Sequence, residues 1–98
     1  MKANIFNQYV QEVCNLFDID EVSLFTKTKR RDIVDARQML YYLCYKRPMR
    51  VVYIQEYMGE KGYPINHSSI IHGINVVSNR LKSDGDYVSV VNQLQDEV

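Results

Sequence analysis

Cysteine, proline and glycine are scarce in this chain of 98 residues, which contains two, two and four of them, and the net formal charge is zero. The two cysteines, Cys14 and Cys44, lie in apolar helical patterns, so we expect free thiols rather than a disulfide framework. The zero net charge argues against a polycation that binds nucleic acid indiscriminately.

Long apolar runs are absent as well, so no segment is predicted to span a membrane. The N-terminal residues include Glu12 and repeated polar residues, which is not the pattern of a signal peptide. No repeat, low-complexity tract or linker divides the chain, and 46% of its residues are apolar. We therefore expect one folded domain over 1–98 in the reducing cytoplasm.

The residue sets of an enzyme or a metal site are missing. His67 and His72 are five residues apart, which is the wrong spacing for two metal ligands on one helix. Ser68 and Ser69 have no visible base or oxyanion site that would make either one a nucleophile. No Walker-type phosphate loop is present. We therefore expect no catalysis, metal, cofactor or bound nucleotide.

Basic residues are concentrated in one quarter of the chain. Between Lys27 and Arg50 lie eight bases and two acids, a local net charge of +6. The segment 26–31, TKTKRR, has no apolar residue, so it is predicted to be a loop outside the core. Such a basic loop is either simply solvated, or it lies along phosphates or in a minor groove, where cations are attracted.

Apolar residues that recur every three or four positions predict an all-α fold. The first predicted elements are an N-terminal helix over about 4–17, a short helix or turn capped by Asp20, and a central helix over 32–47. A helix-turn-helix over 49–82 follows, and its short first helix covers 49–58. The last predicted element is a C-terminal helix over 87–95. The helix-turn-helix pattern alone is weak evidence for DNA binding, because many small helical domains contain such pairs.

The long helix after Pro64 has an unusual polar face. Its apolar stripe comprises Ile70, Ile74, Val77 and Leu81, spaced by 4, 3 and 4 residues. Asn66 is positioned to cap the helix. The opposite face carries uncharged polar residues, Ser68, Ser69, His72, Asn75 and Asn79. A solvated helix face ordinarily carries Lys and Glu, so this face is predicted to contact another molecule, as a recognition helix does.

Three motifs at matching spacing are similar to a known family: KTKRRDIVDARQMLYYL, the short helix after it, and INHSSIIHGINVV. Over roughly Ile5 to Leu81 the chain resembles the C-terminal DNA-binding domain of the bacterial replication initiator DnaA. That family carries a basic loop, an Arg-Gln pair and a signature of the form Asp-His-Ser/Thr-Thr-Val. The corresponding positions here are Arg37 and Gln38 for the pair, and Asn66, His67, Ser68, Ser69 and Ile70 for the signature.

The resemblance implies a Trp-repressor-like, all-α domain that binds double-stranded DNA sequence-specifically. It places the recognition helix in the major groove, the basic loop on the backbone or in the minor groove, and Arg37 at a base or phosphate. The residues implicated are Lys29, Arg30, Arg31, Arg37, Gln38, Asn66, His67, Ser68, Ser69 and His72. We expect them at exposed positions, with the loop and the helix tip on one side of the molecule.

Ile65 and Asn66 stand where the family usually carries Arg and Asp, so we expect a target other than the initiator's own site. Without an ATPase region, the chain is expected to be a stand-alone binding module, of the kind that a phage or mobile element would encode. The sequence leaves open a protein-interaction or structural module that kept the fold and lost DNA binding, and also a regulator of another replication factor. It equally leaves open a homo-oligomer or a protein partner.

Overall fold

The computed structural model of the chain describes residues 2–98 and is all-α, which confirms the predicted fold class. Its helices within these residues are α1 (Lys2–Phe17), α2 (Glu21–Leu24), α3 (Arg31–Lys46), α4 (Val51–Glu60), α5 (His67–Leu81) and α6 (Gly85–Glu97). Over the described range, no helix combines the length and the apolar character needed to cross a bilayer.

The central helix of the fold is α3, which packs against all five other helices. Because it has neighbours on most sides, its buried surface is wider than one stripe. Besides the predicted Ile33, Ala36, Leu40, Leu43 and Cys44, the buried residues of α3 include Arg37, Met39, Tyr41 and Tyr42. Cys14 and Cys44 are both free thiols, and burial raises the pKa of Cys44.

Three helices begin at side chains that cap the first turn. Asp20 accepts a hydrogen bond from the Ser23 amide at 2.7 Å, Asn66 from the Ser69 amide at 2.8 Å, and Asp84 from the Tyr87 amide at 3.2 Å. Each cap satisfies an amide that has no partner within its helix. The cap at Asp84 lets α6 begin at Gly85 rather than at the predicted residue 87, so part of the predicted turn is helical.

The other helix bounds differ from the predicted ones by one or two residues, because terminal turns are the least determined part of a helix pattern. The turn between α4 and α5 depends on two residues. Gly62 has a φ of +88°, a left-handed conformation that favours glycine. Gln55 Nε2 of α4 donates to the Ile65 carbonyl at 2.9 Å, which holds the chain just before α5.

A close approach between α3 and α5 occurs at Gly73, which is buried. A Cβ atom at this position would lie 2.9 Å from Cδ2 of Tyr41 and 3.1 Å from Cγ of Gln38. Carbon atoms in packed interiors are ordinarily about 3.5–4.0 Å apart, so glycine allows α5 to lie this close to α3. This contact therefore fixes how closely α5 lies to Gln38 of α3.

We expect Gly73→Ala to lower the free energy of unfolding by about 1–3 kcal/mol, because the added methyl group forces Tyr41 or Gln38 to shift. Gly59→Ala in α4 is the matched control, since an added Cβ there meets nothing within 4 Å. The control should be as stable as the parent or more stable by about 0.5–1 kcal/mol. Urea titrations followed by circular dichroism measure both, and equal stabilities would contradict the close approach.

Candidate nucleic-acid interface

A groove of about 590 Å³ lies between the loop that follows α2, one side of α3 and the first turns of α5. Six of the ten residues implicated from the sequence line it: Arg37, Gln38, Asn66, Ser68, Ser69 and His72. Thr28 of the loop and Tyr63 of the turn before α5 also line the groove. Residues distant in sequence are thus brought together on one side of the molecule.

The four remaining predicted residues do not line the groove themselves, but they are close in sequence to residues that do. Lys29, Arg30 and Arg31 directly follow Thr28 and are exposed. His67 is the exposed first residue of α5, between two residues that line the groove. The basic loop, defined as residues 26–31, and the N-terminal end of α5 therefore flank the same groove.

The cations of the basic loop differ in their pairing. Arg30 Nη2 donates to Asp32 Oδ2 at 2.8 Å, and this hydrogen bond lowers the pKa of the Asp32 carboxyl. Lys29 and Arg31 form no ion pair with any residue in the range 2–98. Lys27 is likewise exposed and unpaired within this range, so Lys27, Lys29 and Arg31 are the loop cations that are free to meet an external anion.

Arg37 is buried, with 5% of its surface exposed, so the expectation of an exposed position is wrong. Its Nε donates to the Leu24 carbonyl at 2.8 Å, Nη1 donates to the Thr28 carbonyl at 3.4 Å, and Nη2 donates to the Thr26 carbonyl. The guanidinium carbon lies 4.4 Å from the centroid of the Tyr63 ring, a cation–π contact. A guanidinium can serve several acceptors at once because its five N–H groups are held in one plane.

This set of bonds gives Arg37 a positioning role. Three carbonyls between Leu24 and Thr28 converge on one side chain of α3, which holds the basic loop against that helix. The ring of Tyr63 brings the turn before α5 to the same point. The relative placement of the loop and of the end of α5 therefore depends on Arg37.

We expect Arg37→Met to lower the free energy of unfolding by about 1.5–3 kcal/mol, because the loop carbonyls lose a charged donor. Trypsin should then cleave after Lys27 and Lys29 faster than in the parent. Arg50→Met is the control, because Arg50 is exposed and makes no side-chain cap bond to α4. Unchanged cleavage of the loop in Arg37→Met, with the control behaving like the parent, would rule out the positioning role.

The basic quarter of the sequence is divided in space. Lys46, Arg47 and Arg50 are exposed at the far end of α3, which has 16 residues and so is about 24 Å long at a rise of 1.5 Å per residue. These bases do not line the groove, and they are separated from the basic loop by the length of the helix. The local charge of +6 is therefore spread over two ends of α3 rather than one patch.

Ile71 of α5 is 45% exposed, although no role was predicted for it from the sequence. The signal that could have identified it is the helical period. Ile70 is in phase with Ile74 and is buried, whereas Ile71 is rotated by about 100° from it and so leaves the core face. Within residues 2–98, no cluster of three or more His, Cys, Asp or Glu side chains is arranged to hold a metal ion.

The α4–turn–α5 unit, the basic loop and their common groove define a helix-turn-helix domain with a surface suited to nucleic acid. The chain belongs to the family of the bacterial DnaA protein helix-turn-helix, whose model matches residues 7–77. The resemblance inferred from the sequence is thereby confirmed, and membership of this family supports DNA binding.

Several curated relatives carry the name chromosomal replication initiator protein DnaA. The protein of Bacteroides thetaiotaomicron is 25% identical over 95 residues, which cover 96% of this chain and 19% of that protein. That of Bacteroides fragilis is 24% identical over 95 residues, with the same coverage of 96% and 19%. That of Porphyromonas gingivalis is 28% identical over 86 residues, 87% of this chain and 17% of that protein. The chain spans about a fifth of the length of these relatives.

Proposed function

We propose that this chain binds double-stranded DNA sequence-specifically, with α5 in the major groove and the basic loop on the neighbouring backbone or in the minor groove. The observation that carries the proposal is the single groove bordered by both elements, because one duplex can then contact both. The relatives named as replication initiators support a role in replication or its regulation.

The residues at the start of α5 are suited to hydrogen bonds with base edges rather than to sequence-independent electrostatic attraction to phosphates. From His67 to Asn75 the helix has no charged side chain, and its exposed positions other than Ile71 carry imidazole, hydroxyl and amide groups. Such groups form hydrogen bonds with base edges, which carry the sequence information of the duplex. The N-terminal end of the helix also presents free amides and a positive dipole end to a nearby phosphate.

The basic loop supplies the complementary, sequence-independent attraction. Lys29 and Arg31 are exposed and have no acidic partner in the described part of the chain. Cations that neutralise phosphates release counterions from the duplex, so their contribution weakens as salt rises. Because Arg37 holds the loop beside the groove, these two cations stay close to any duplex that occupies it.

We expect Lys29→Ala and Arg31→Ala to weaken binding to all duplexes alike and each to reduce the slope of log K against log salt by about 1. Arg30→Ala should have a smaller effect, because Arg30 already pairs with Asp32 at 2.8 Å. Lys61→Ala is the matched control, since Lys61 lies at the end of α4, 4.0 Å from Glu21 and outside the groove lining. Anisotropy titrations at several salt concentrations measure these slopes.

Slopes identical to the parent in both Lys29→Ala and Arg31→Ala would remove the loop from the interface. A parent chain that shows no binding to mixed-sequence duplex at low salt would favour the alternative of a protein-interaction or structural module.

We expect His67→Ala to weaken binding to a duplex selected from a random library by about 1–3 kcal/mol while leaving binding to mixed-sequence duplex nearly unchanged. The reason is that a base contact discriminates among sequences, whereas a phosphate contact does not. Asn79→Ala is the control, because Asn79 is also exposed on α5 but lies about 18 Å further along the helix. Parallel losses on both duplexes would instead assign His67 to a phosphate.

A further inference from the structure

The exposed face of α1 consists of amide side chains. On the side opposite the buried residues of this helix, five positions share a face about 120° wide at 100° per residue, and all five are exposed. They are Asn4, Asn7, Gln8, Gln11 and Asn15. Within residues 2–98, none of their side chains forms a hydrogen bond.

This amide face differs from an ordinary solvated helix face, on which charged residues of both signs are interspersed. The exposed positions of α6, for example, include Asp86, Asp96 and Glu97. An amide side chain carries both a hydrogen-bond acceptor and two donors, so it is complementary to another amide. A second copy of the same face would therefore satisfy these groups without bringing like charges together.

The order of the amides along the face is symmetric. Asn4, Gln8, Gln11 and Asn15 are spaced by 4, 3 and 4 residues, so both the spacing and the residue types read the same in either direction. If two such helices lie antiparallel, Asn4 of one copy is level with Asn15 of the other, and Gln8 with Gln11. A two-fold interface requires that each residue meet its counterpart reciprocally in this way, and the amide face meets that requirement.

We propose that two copies of this chain form a homodimer by packing their α1 helices antiparallel through the amide face. Glu21 and Lys61 border the face and pair with each other at 4.0 Å, so this rim adds no net charge. The amides span 11 residues, about 17 Å of helix, which is small beside a standard interface of about 1,600 Å². The dimer is therefore weak, and it is independent of the groove proposed to bind DNA.

Sedimentation equilibrium of the parent without DNA, at up to about 1 mM protein, tests for this dimer. Gln8→Glu/Gln11→Glu brings four carboxylates together at the two-fold axis and should weaken the dimer about ten-fold or more, as should Gln8→Lys/Gln11→Lys. An equimolar mixture of these two variants should associate at least as tightly as the parent, because opposite charges then face each other.

Asn79→Glu/Asn92→Glu is the matched control, because it makes the same charge change at exposed amides of α5 and α6. It should dimerise like the parent. Every substituted position is exposed, so the circular dichroism spectra of all variants should also match that of the parent.

Disulfide cross-linking tests the antiparallel arrangement. The variants carry Cys14→Ser, because Cys14 is a half-buried free thiol on the same helix. A mixture of Asn4→Cys and Asn15→Cys should form a disulfide-linked dimer with oxidised glutathione, whereas Asn4→Cys alone should not. In the antiparallel pair, the two copies of residue 4 lie about 17 Å apart, and a disulfide needs Cα atoms within about 7 Å.

Three results would overturn the proposal. The first is a parent chain that remains monomeric up to about 1 mM. The second is a Gln8→Glu/Gln11→Glu variant that dimerises like the parent, or a mixture with the lysine variant that does not associate. The third is cross-linking of Asn4→Cys with itself as efficiently as with Asn15→Cys, which would indicate parallel helices.

Discussion

The guanidinium of Arg37 connects the surface of this domain to its core. It donates hydrogen bonds to the carbonyls of Leu24, Thr26 and Thr28 and packs on the ring of Tyr63. A buried charge is unfavourable unless its donors are satisfied, so this arginine stabilises the fold only when loop and turn are both in place. The basic loop and the approach to α5 are consequently positioned by one residue of α3.

The helices could be predicted because their information is local. The stripe that includes Ile70, Ile74 and Val77 has the period of a helix that packs on one side, and all three are buried. Asn66 and Asp20 lie at the starts of such stripes, and the side chain of each accepts a hydrogen bond from the amide three residues further along the chain. The family could be recognised because separate motifs occur at matching spacing over most of the chain.

The details of the candidate site depend on distant residues and could not be predicted. Nothing near Arg37 in sequence shows that carbonyls from Leu24 to Thr28 will surround it, or that Tyr63 will cover it. The net charge of +6 between residues 27 and 50 likewise does not show that the length of α3 separates these bases into two groups. Ile71 is an exception, because the helical period of α5 places it about 100° from the buried Ile70 and so outside the core face.

In the basic loop, the main chain and the exposed side chains have separate roles. The carbonyls that Arg37 engages belong to alternate residues, Leu24, Thr26 and Thr28, while Lys27 between the last two and Lys29 directly after them are exposed. The main chain of the loop therefore maintains its attachment to α3, whereas the side chains of Lys27 and Lys29 take no part in that attachment. During divergence, this loop can exchange its exposed side chains without losing its attachment to α3.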